Sequence, residues 1–286
     1  MTRDMDWIVI TGSTGGLGQA VVNLLSAAGQ NLILVNRSQS KSLAQKKALV
    51  RDVPGIKVET VVADFLDSQS VESAIQEICE LDGRIKALYN NAGVLTKEHI
   101  RSRQGFESTF AVNVLTPYQL IIGLHDKMMS HTQERHSAIV NVTSGVAVKL
   151  KTLKTSQLAN PDTVSGLNGT YAQSKLALIV LTASLADTLR TDGIFIRAVD
   201  PGATRTPMTL DNPSMPLLLK WIAPLLFQDA SKQAQKLINA ASPESLGRQT
   251  GILVANMRQL SLPAPALSDV VKKQLMDLLG RSLRAS

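Results

Sequence analysis

The chain is poor in cysteine, in aromatic rings and in long apolar runs. Its single cysteine, Cys79, excludes an internal disulfide framework and suits a reducing compartment, so a cytoplasmic protein is expected. Cys79 itself lies on an apolar helical pattern, where a free thiol reads as a small core hydrophobe. Aromatic residues make up 3% of the sequence, which leaves few platforms for stacking single-stranded bases. A net charge of +7 invites a nucleic-acid reading. The basic residues are scattered, however, as Lys46-Lys47, Lys149, Lys151, Lys154, Lys272-Lys273, Arg281 and Arg284, and no nucleic-acid partner is expected. The strongest apolar stretch, 215–227, is interrupted by Pro216, Lys220 and Pro224. It is far shorter than the ~20 residues that a membrane-spanning helix needs. The start, Met1 to Trp7, carries acidic residues and runs straight into a strand pattern, unlike a secretory signal or a transmembrane anchor. No linker tract and no internal repeat divides the chain, so a single domain over 1–286 is expected.

What is present is a strict alternation of short apolar runs and helical patterns. The sequence predicts strands at 7–11, 31–36, 57–63, 87–90, 138–143, 195–200 and 251–255. Between and after them it predicts helices at 17–28, 41–51, 69–80, 105–130, 171–191, 231–241 and 269–279. Such βαβα order argues a doubly wound α/β fold: a seven-stranded, mainly parallel sheet with helices on both faces. The strands are continuous apolar runs, as burial on both faces requires. Two segments break the rhythm. Residues 146–170 form a long polar connection of the kind that is usually functional or an insertion. Residues 203–228 carry Pro207, Pro213, Pro216 and Pro224 around the apolar stretch, and read as a substrate lid. That stretch, with Leu217, Leu218, Trp221, Ile222, Leu225 and Leu226, could instead touch a membrane surface or pack a dimer.

The first strand closes on Thr11-Gly-Ser-Thr-Gly-Gly-Leu-Gly18 and opens a helix. Gly12, Gly16 and Gly18 suit a tight turn, close approach of backbone to a pyrophosphate, and helix–sheet packing. With Ser13 and Leu17 they make a phosphate-binding turn on a helix N-terminus, whose amides and dipole favour an anion. No Lys-Ser/Thr pair follows, so this is not a Walker A loop. The second strand ends in Asn36-Arg37-Ser38, the position that faces an adenosine ribose in such folds. An acidic residue there would bond the 2′-hydroxyl and repel a 2′-phosphate. Arg37 can instead pair with a phosphate, which favours NADP(H) over NAD(H). Asp64 and Phe65 end the third strand, where an adenine could be met. Asn90-Asn91-Ala92-Gly93 ends the fourth, and Pro201-Gly202, followed by Thr204 and Thr206, ends the sixth. In an open parallel sheet all these strand ends share one ligand crevice.

Tyr171 and Lys175 lie four residues apart at the head of a long apolar helix pattern, which puts a phenol and an ammonium on one helical face. A free tyrosine titrates near ~10, so bringing it to ~7 needs roughly 4 kcal/mol of preferential stabilisation of the phenolate. Ser144 ends the fifth strand. Asn113 lies four residues before Pro117, which has no N–H, so the Asn113 carbonyl loses its usual helical donor and is free to hold a water. His131 and His136 flank Gln133-Glu134-Arg135, but no third ligand is in sight and no metal site is expected.

Gly12/Gly16/Gly18, Asn90-Asn91-Ala92-Gly93, Asn113, Ser144, Tyr171-x-x-x-Lys175 and Pro201-Gly202, in this order, resemble the short-chain dehydrogenase/reductase family over roughly 6–206. The resemblance implies a Rossmann fold, a nicotinamide cofactor and a tetrad of Asn113, Ser144, Tyr171 and Lys175. It implies that Ser144 orients the substrate oxygen and that Tyr171 gives or takes a proton. Lys175 would lower the Tyr171 pKa and grip the nicotinamide ribose, Asn113 would anchor a water, and Thr206 would meet the carboxamide. The connection from Ser144 to Tyr171 is longer than in most members. Together with Ser174-Lys175-Leu176-Ala177, this is similar to the retinol-dehydrogenase-like and protochlorophyllide-reductase-like subgroup. That implies a bulky apolar carbonyl or alcohol substrate. Reduction of an activated C=C bond and a catalytically silent dinucleotide sensor stand as alternatives. Substrate identity, reaction direction and oligomeric state stay open.

Overall fold

The apolar runs become strands because both of their faces are covered. In β1 (Asp6–Thr11) and β2 (Asn31–Asn36) every residue after the first is buried. The computed structural model describes residues 5–129, 135–204 and 229–285. After the first two strands come β3 (Val58–Val62), β4 (Arg84–Asn90), β5 (Ser137–Val142), β6 (Ile194–Asp200), β7 (Ile252–Ala255) and β8 (Arg258–Leu260). The sheet order is β3-β2-β1-β4-β5-β6-β7-β8. All pairs are parallel except β7 with β8. The chain runs outward from β1 through β2 to β3, then returns to β4 on the other side of β1. That reversal opens a crevice at the carboxyl ends of β1 and β4.

The eighth strand departs from the seven expected. Asn256 and Met257, at φ 48° and 60°, form a two-residue turn of the hairpin type, and β8 is exposed throughout. Without burial it carries no apolar signal.

Helices cover both faces. On one face lie α1 (Gly16–Ala27) and α2 (Gln39–Asp52). On the other, α3 (Ser68–Glu80) buries Val71, Ala74, Ile75 and Ile78, the i, i+3, i+4, i+7 stripe of an amphipathic helix. This stripe corrects the reading of Cys79 as a core residue. Ile78 takes the inward position and its neighbour Cys79 is exposed.

The long helix expected at 105–130 is also corrected. Glu107 caps a short α4 (Ser108–Phe110), its carboxylate accepting from the amides of Thr109 at 2.8 Å and Phe110 at 3.2 Å. A π-helical turn, Ala111–Leu115, follows, in which the Thr116 N–H reaches back to the Ala111 carbonyl. Then come α5 (Thr116–Gly123) and α6 (His125–Met128). Pro117 cannot donate to the Asn113 carbonyl, and the backbone here takes the wider π spacing.

The 146–170 connection is folded rather than loose. It contains α7 (Gly145–Val148), α8 (Thr155–Leu158) and a 3-10 turn, Gly166–Asn168. Leu153, Leu158 and Ala159 join the core. The Glu107 N–H donates to the Ala159 carbonyl at 2.8 Å. The connection leads into α9 (Thr170–Thr191), whose Gln173 accepts from Lys154 N and donates to Thr152 O. After β6 come α10 (Ala230–Ala241) and α11 (Pro243–Leu246), and after β8 come α12 (Ala264–Leu267) and α13 (Asp269–Arg284). The last buries Leu275 and Leu279 against the α9 side of the core.

Candidate active site

The glycine turn is shaped by contacts that exclude side chains. Gly12 has φ +68°, and a Cβ on it would lie 3.0 Å from Ala92 Cα. A Cβ on Gly18 would lie 2.2 Å from the Gly12 carbonyl and 2.7 Å from Asn91 Nδ2. Asn91 stitches the turn to β4, its Nδ2 donating to the carbonyls of Thr11 at 2.9 Å and Gly12 at 3.2 Å. The Thr11 hydroxyl accepts from the amides of Asn91 at 3.1 Å and Ala92 at 3.0 Å. Gly16 opens α1, Leu17 packs on the core beside it, and the N-cap, Gly15, offers no side chain to the first-turn amides. Those amides are the orphan donors that an anion satisfies.

Around this turn the predicted cofactor residues divide. Arg37 is exposed beyond the end of β2. Ser38 caps α2, accepting from Lys41 N at 3.4 Å. Asp64 Oδ1 accepts from Leu66 N at 3.1 Å, and Phe65 packs partly against the core. Ser13 differs from the others. It is fully buried and its hydroxyl is held by neighbouring side chains rather than facing the crevice. Thr206, and residues 205–228 of the lid expected over 203–228, with the 215–227 stretch, lie outside the described residues.

The four tetrad residues converge at the ends of β4 and β5. Asn113 clamps Val94, its Oδ1 accepting from Val94 N at 2.8 Å and its Nδ2 donating to Val94 O at 3.0 Å. The same Nδ2 donates to Ser174 Oγ at 2.9 Å, and that hydroxyl donates to the Tyr171 carbonyl at 2.8 Å. Lys175 is buried, and its Nζ donates to the Val142 carbonyl at 2.8 Å. Gly93 separates the two: a Cβ there would lie 3.2 Å from Asn113 Oδ1 and 3.3 Å from Lys175 Nζ. Ser144 hydrogen-bonds the Tyr171 side chain.

Electrostatics give the site its protonation states. Burial pushes the Tyr171 phenol up to about 12, the Ser144 hydrogen bond opposes this, and the charge of Asp200 adds to it. Burial pulls the Lys175 ammonium down to about 8. Burial and the Asp200 charge outweigh the Ser144 hydrogen bond, so the phenol is protonated at neutral pH. The Lys175 hydrogen bond is directed to a backbone carbonyl.

Asp200 was missed in the sequence. It sits at the end of β6 directly before Pro201-Gly202, and Oδ1 accepts from Gly202 N at 2.9 Å. A Cβ on Gly145 would lie 2.9 Å from Oδ2. Burial raises its pKa, opposed by backbone hydrogen bonds from Gly202 and Gly145 and by the charge of Lys236. Its only signal in the sequence is a carboxylate at a strand end. Thr204 is buried beside it, donating to Gly202 O at 3.0 Å. No group of three His, Cys, Asp or Glu residues that could hold a metal occurs among the described residues. No helix among them is long and apolar enough to cross a membrane.

A glycine turn on an uncapped helix, a crevice where the strand order reverses, and a Ser-Tyr-Lys cluster beside it define a dinucleotide-dependent class of fold. Residues 6–216, more than half of the chain, match the family model for short chain dehydrogenases, and the chain belongs to that family. It is 29% identical to human retinol dehydrogenase 13 over 201 residues, 70% of this chain and 60% of that protein. It is 30% identical to the chloroplastic short-chain dehydrogenase TIC 32 A of Brassica napus over 204 residues, 69% of this chain and 63% of that protein. The chain thus spans about three fifths of the length of these curated relatives. Among solved structures, a short-chain dehydrogenase from Sphingobium yanoikuyae in complex with NADPH superposes with a TM-score of 0.68 at 21% identity, covering 96% of each chain. The 3-ketoacyl-(acyl-carrier-protein) reductase from Brucella melitensis complexed with NADH gives 0.68 at 20% identity, covering 88% of this chain and 97% of that one. At these identities the two structures speak for the fold.

Proposed function

We propose that the chain is an NADP(H)-dependent oxidoreductase that interconverts an apolar aldehyde or ketone and its alcohol. The observation that carries this reading is the meeting of Ser144, Tyr171 and Lys175 at the mouth of a crevice whose floor is the glycine turn. At Gly12, Gly18 and Gly93 an added Cβ would meet neighbouring protein atoms at 3.0, 2.2 and 3.2 Å, so the glycines keep the turn closed on the strand ends, and the uncapped start of α1 suits a pyrophosphate. A nicotinamide cofactor held there would supply the hydride.

The residues of the chain do the rest. Ser144 donates to the substrate oxygen and fixes its position. Tyr171, protonated at neutral pH, gives that oxygen its proton in reduction and is left as the phenolate; in oxidation the phenolate is the form that takes the proton from the alcohol. Lys175 would hold the nicotinamide ribose. Asn113 holds Val94, and with it the backbone that follows Gly93, against the head of α9. NADP(H) is favoured because Arg37, exposed just past the end of β2, is free to meet a 2′-phosphate. An apolar substrate is supported by the name of human retinol dehydrogenase 13 and by the long 146–170 cover.

The test is titration of the purified protein with NADPH and NADH, followed by nicotinamide fluorescence, with Arg37→Asp alongside. Selective NADPH binding that Arg37→Asp reverses is expected. Equal affinities in both proteins would remove the NADP(H) preference, and no binding of either would remove the enzyme reading.

A further inference from the structure

The last residue of β2 is where a ribose would be read, and Asn36 occupies it. Its side chain does not point outward. Asn36 is buried, at 2% exposure. Its Nδ2 donates to Ser13 Oγ at 2.7 Å and to Ser42 Oγ at 3.0 Å, and its Oδ1 accepts from Thr14 N at 3.4 Å. A carboxamide has two N–H donors, and both are engaged inside the protein.

The partners close the arrangement. Ser13 Oγ donates its one proton to Gln45 Oε1 at 2.7 Å. Gln45 Nε2 donates to the Ser13 carbonyl at 2.9 Å and to Gln19 Oε1 on α1 at 3.0 Å. Ser42 Oγ donates to the Ser38 carbonyl at 2.9 Å. Ser13, Ser42 and Gln45 are all buried. The network joins the glycine turn, α1 and the first turns of α2 from beneath. Buried networks of this kind hold one geometry because every alternative leaves a polar group unpaired.

We propose that Asn36 is a positioning residue that locks the phosphate turn onto α2, and that the choice between NADPH and NADH is made without it. The proposal rests on the dinucleotide reading above. It assigns ribose discrimination to the residues past the strand end, Arg37 and Ser38, and turn geometry to Asn36 with Ser13, Ser42 and Gln45.

Asn36→Asp separates the two roles. As a ribose reader, an aspartate would accept the 2′-hydroxyl of NADH and repel the 2′-phosphate of NADPH. As a lock, it loses both N–H donors and puts a carboxylate beneath the pyrophosphate. The experiment measures affinities for NADPH, NADH and adenosine 2′-monophosphate, which lacks the pyrophosphate, together with the melting temperature. Asn36→Asp is expected to weaken both dinucleotides by about tenfold or more and to leave their ratio near that of the parent. Ser42→Ala, which removes one acceptor with little change in volume, is expected to weaken both by about threefold. Adenosine 2′-monophosphate should bind both variants as it binds the parent. Tighter NADH with weaker NADPH in Asn36→Asp would overturn the proposal. Should that variant fail to fold, unchanged dinucleotide affinities in Ser42→Ala would do the same. A parent protein that binds neither dinucleotide would remove the underlying reading, a different failure from either of these.

Discussion

The Lys175 ammonium lies 5.9 Å from the centre of the Tyr171 ring while donating its hydrogen bond to the Val142 carbonyl. Burial holds Tyr171 as a protonated phenol at neutral pH and pulls the Lys175 ammonium down to about 8. The phenol is the form that a substrate oxygen needs as a donor. Tyr171→Phe removes only the hydroxyl and keeps the ring beside Lys175. Turnover should fall by about 10²–10⁴, with NADPH affinity close to that of the parent. Steady-state rates and fluorescence titration check this together. A variant within tenfold of the parent rate would take Tyr171 out of the chemistry.

Asp200 raises the proton affinity of Tyr171. Asp200→Asn keeps an oxygen for the Gly202 amide and removes the charge. The Tyr171 pKa should fall, so its deprotonation moves to lower pH. Ultraviolet difference titration against the matching Tyr171→Phe protein isolates this phenol from Tyr89 and Tyr118. An unmoved or upward-moved curve would mean that the Asp200 charge does not reach the phenol.

Two neighbouring glycines should behave oppositely. On Gly18 an added Cβ meets the Gly12 carbonyl at 2.2 Å, whereas on Gly15 its nearest neighbour is at 3.6 Å. Gly18→Ala should cost about a hundredfold or more in dinucleotide affinity, because the turn must move. Gly15→Ala should bind within about threefold of the parent. Equal losses at both positions would mean that close approach at Gly18 does not set the tolerance.

Arg197 is the largest fully buried side chain among the described residues, and it acts as a backbone clamp. It donates to the carbonyls of Gln249, Ala240, Ser242 and Gly247 at 2.9, 2.8, 3.3 and 2.5 Å. This ties β6 to the end of α10 and to the loop before β7. Arg197→Met fills much of the volume but leaves these carbonyls without their donor. A loss of about 3 kcal/mol or more is expected from chemical denaturation. A loss under about 1 kcal/mol would mean that water replaces the guanidinium.

His125 joins the start of α6 to the end of α9 through Asp192, at 2.9 Å, with Asp126 at 3.1 Å. Desolvation pulls its pKa down, but hydrogen bonds and charges of Asp126 and Asp192 outweigh this and the pKa is raised. A raised pKa means that the folded state holds the proton more tightly than the unfolded chain. The stabilisation is complete below the unfolded value near ~6.5 and is lost as pH rises through the folded value. Thermal melts of His125→Ala and the parent should differ more at acidic than at alkaline pH. A gap independent of pH would mean that the contact is not ionic.

The order of strands and helices was legible because burial on both faces writes an unbroken apolar run, and because a glycine turn is a local pattern. The placing of Ser144, Tyr171 and Lys175 on one edge was legible for the same reason: Tyr171 and Lys175 share one helix, and Ser144 follows a strand end. Where competition between distant partners decides, the sequence was silent. The helix expected over 105–130 breaks at Pro117 into a π turn that still delivers Asn113. Cys79 loses its core position to Ile78. The hairpin strand β8 has no buried face to announce it.

The sequence by itself determined the alternating α/β order, the glycine turn, and which residue types could meet at the strand ends. Only the tertiary structure decided that Ser13 and Asn36 face inward and that a carboxylate at the end of β6 lies close enough to act on Tyr171. The physical reason is that a side chain's direction depends on which hydrogen-bond partners surround it. Gln45 and Ser42, like Tyr171 for Asp200, are brought there by folding, not by neighbourhood in the chain.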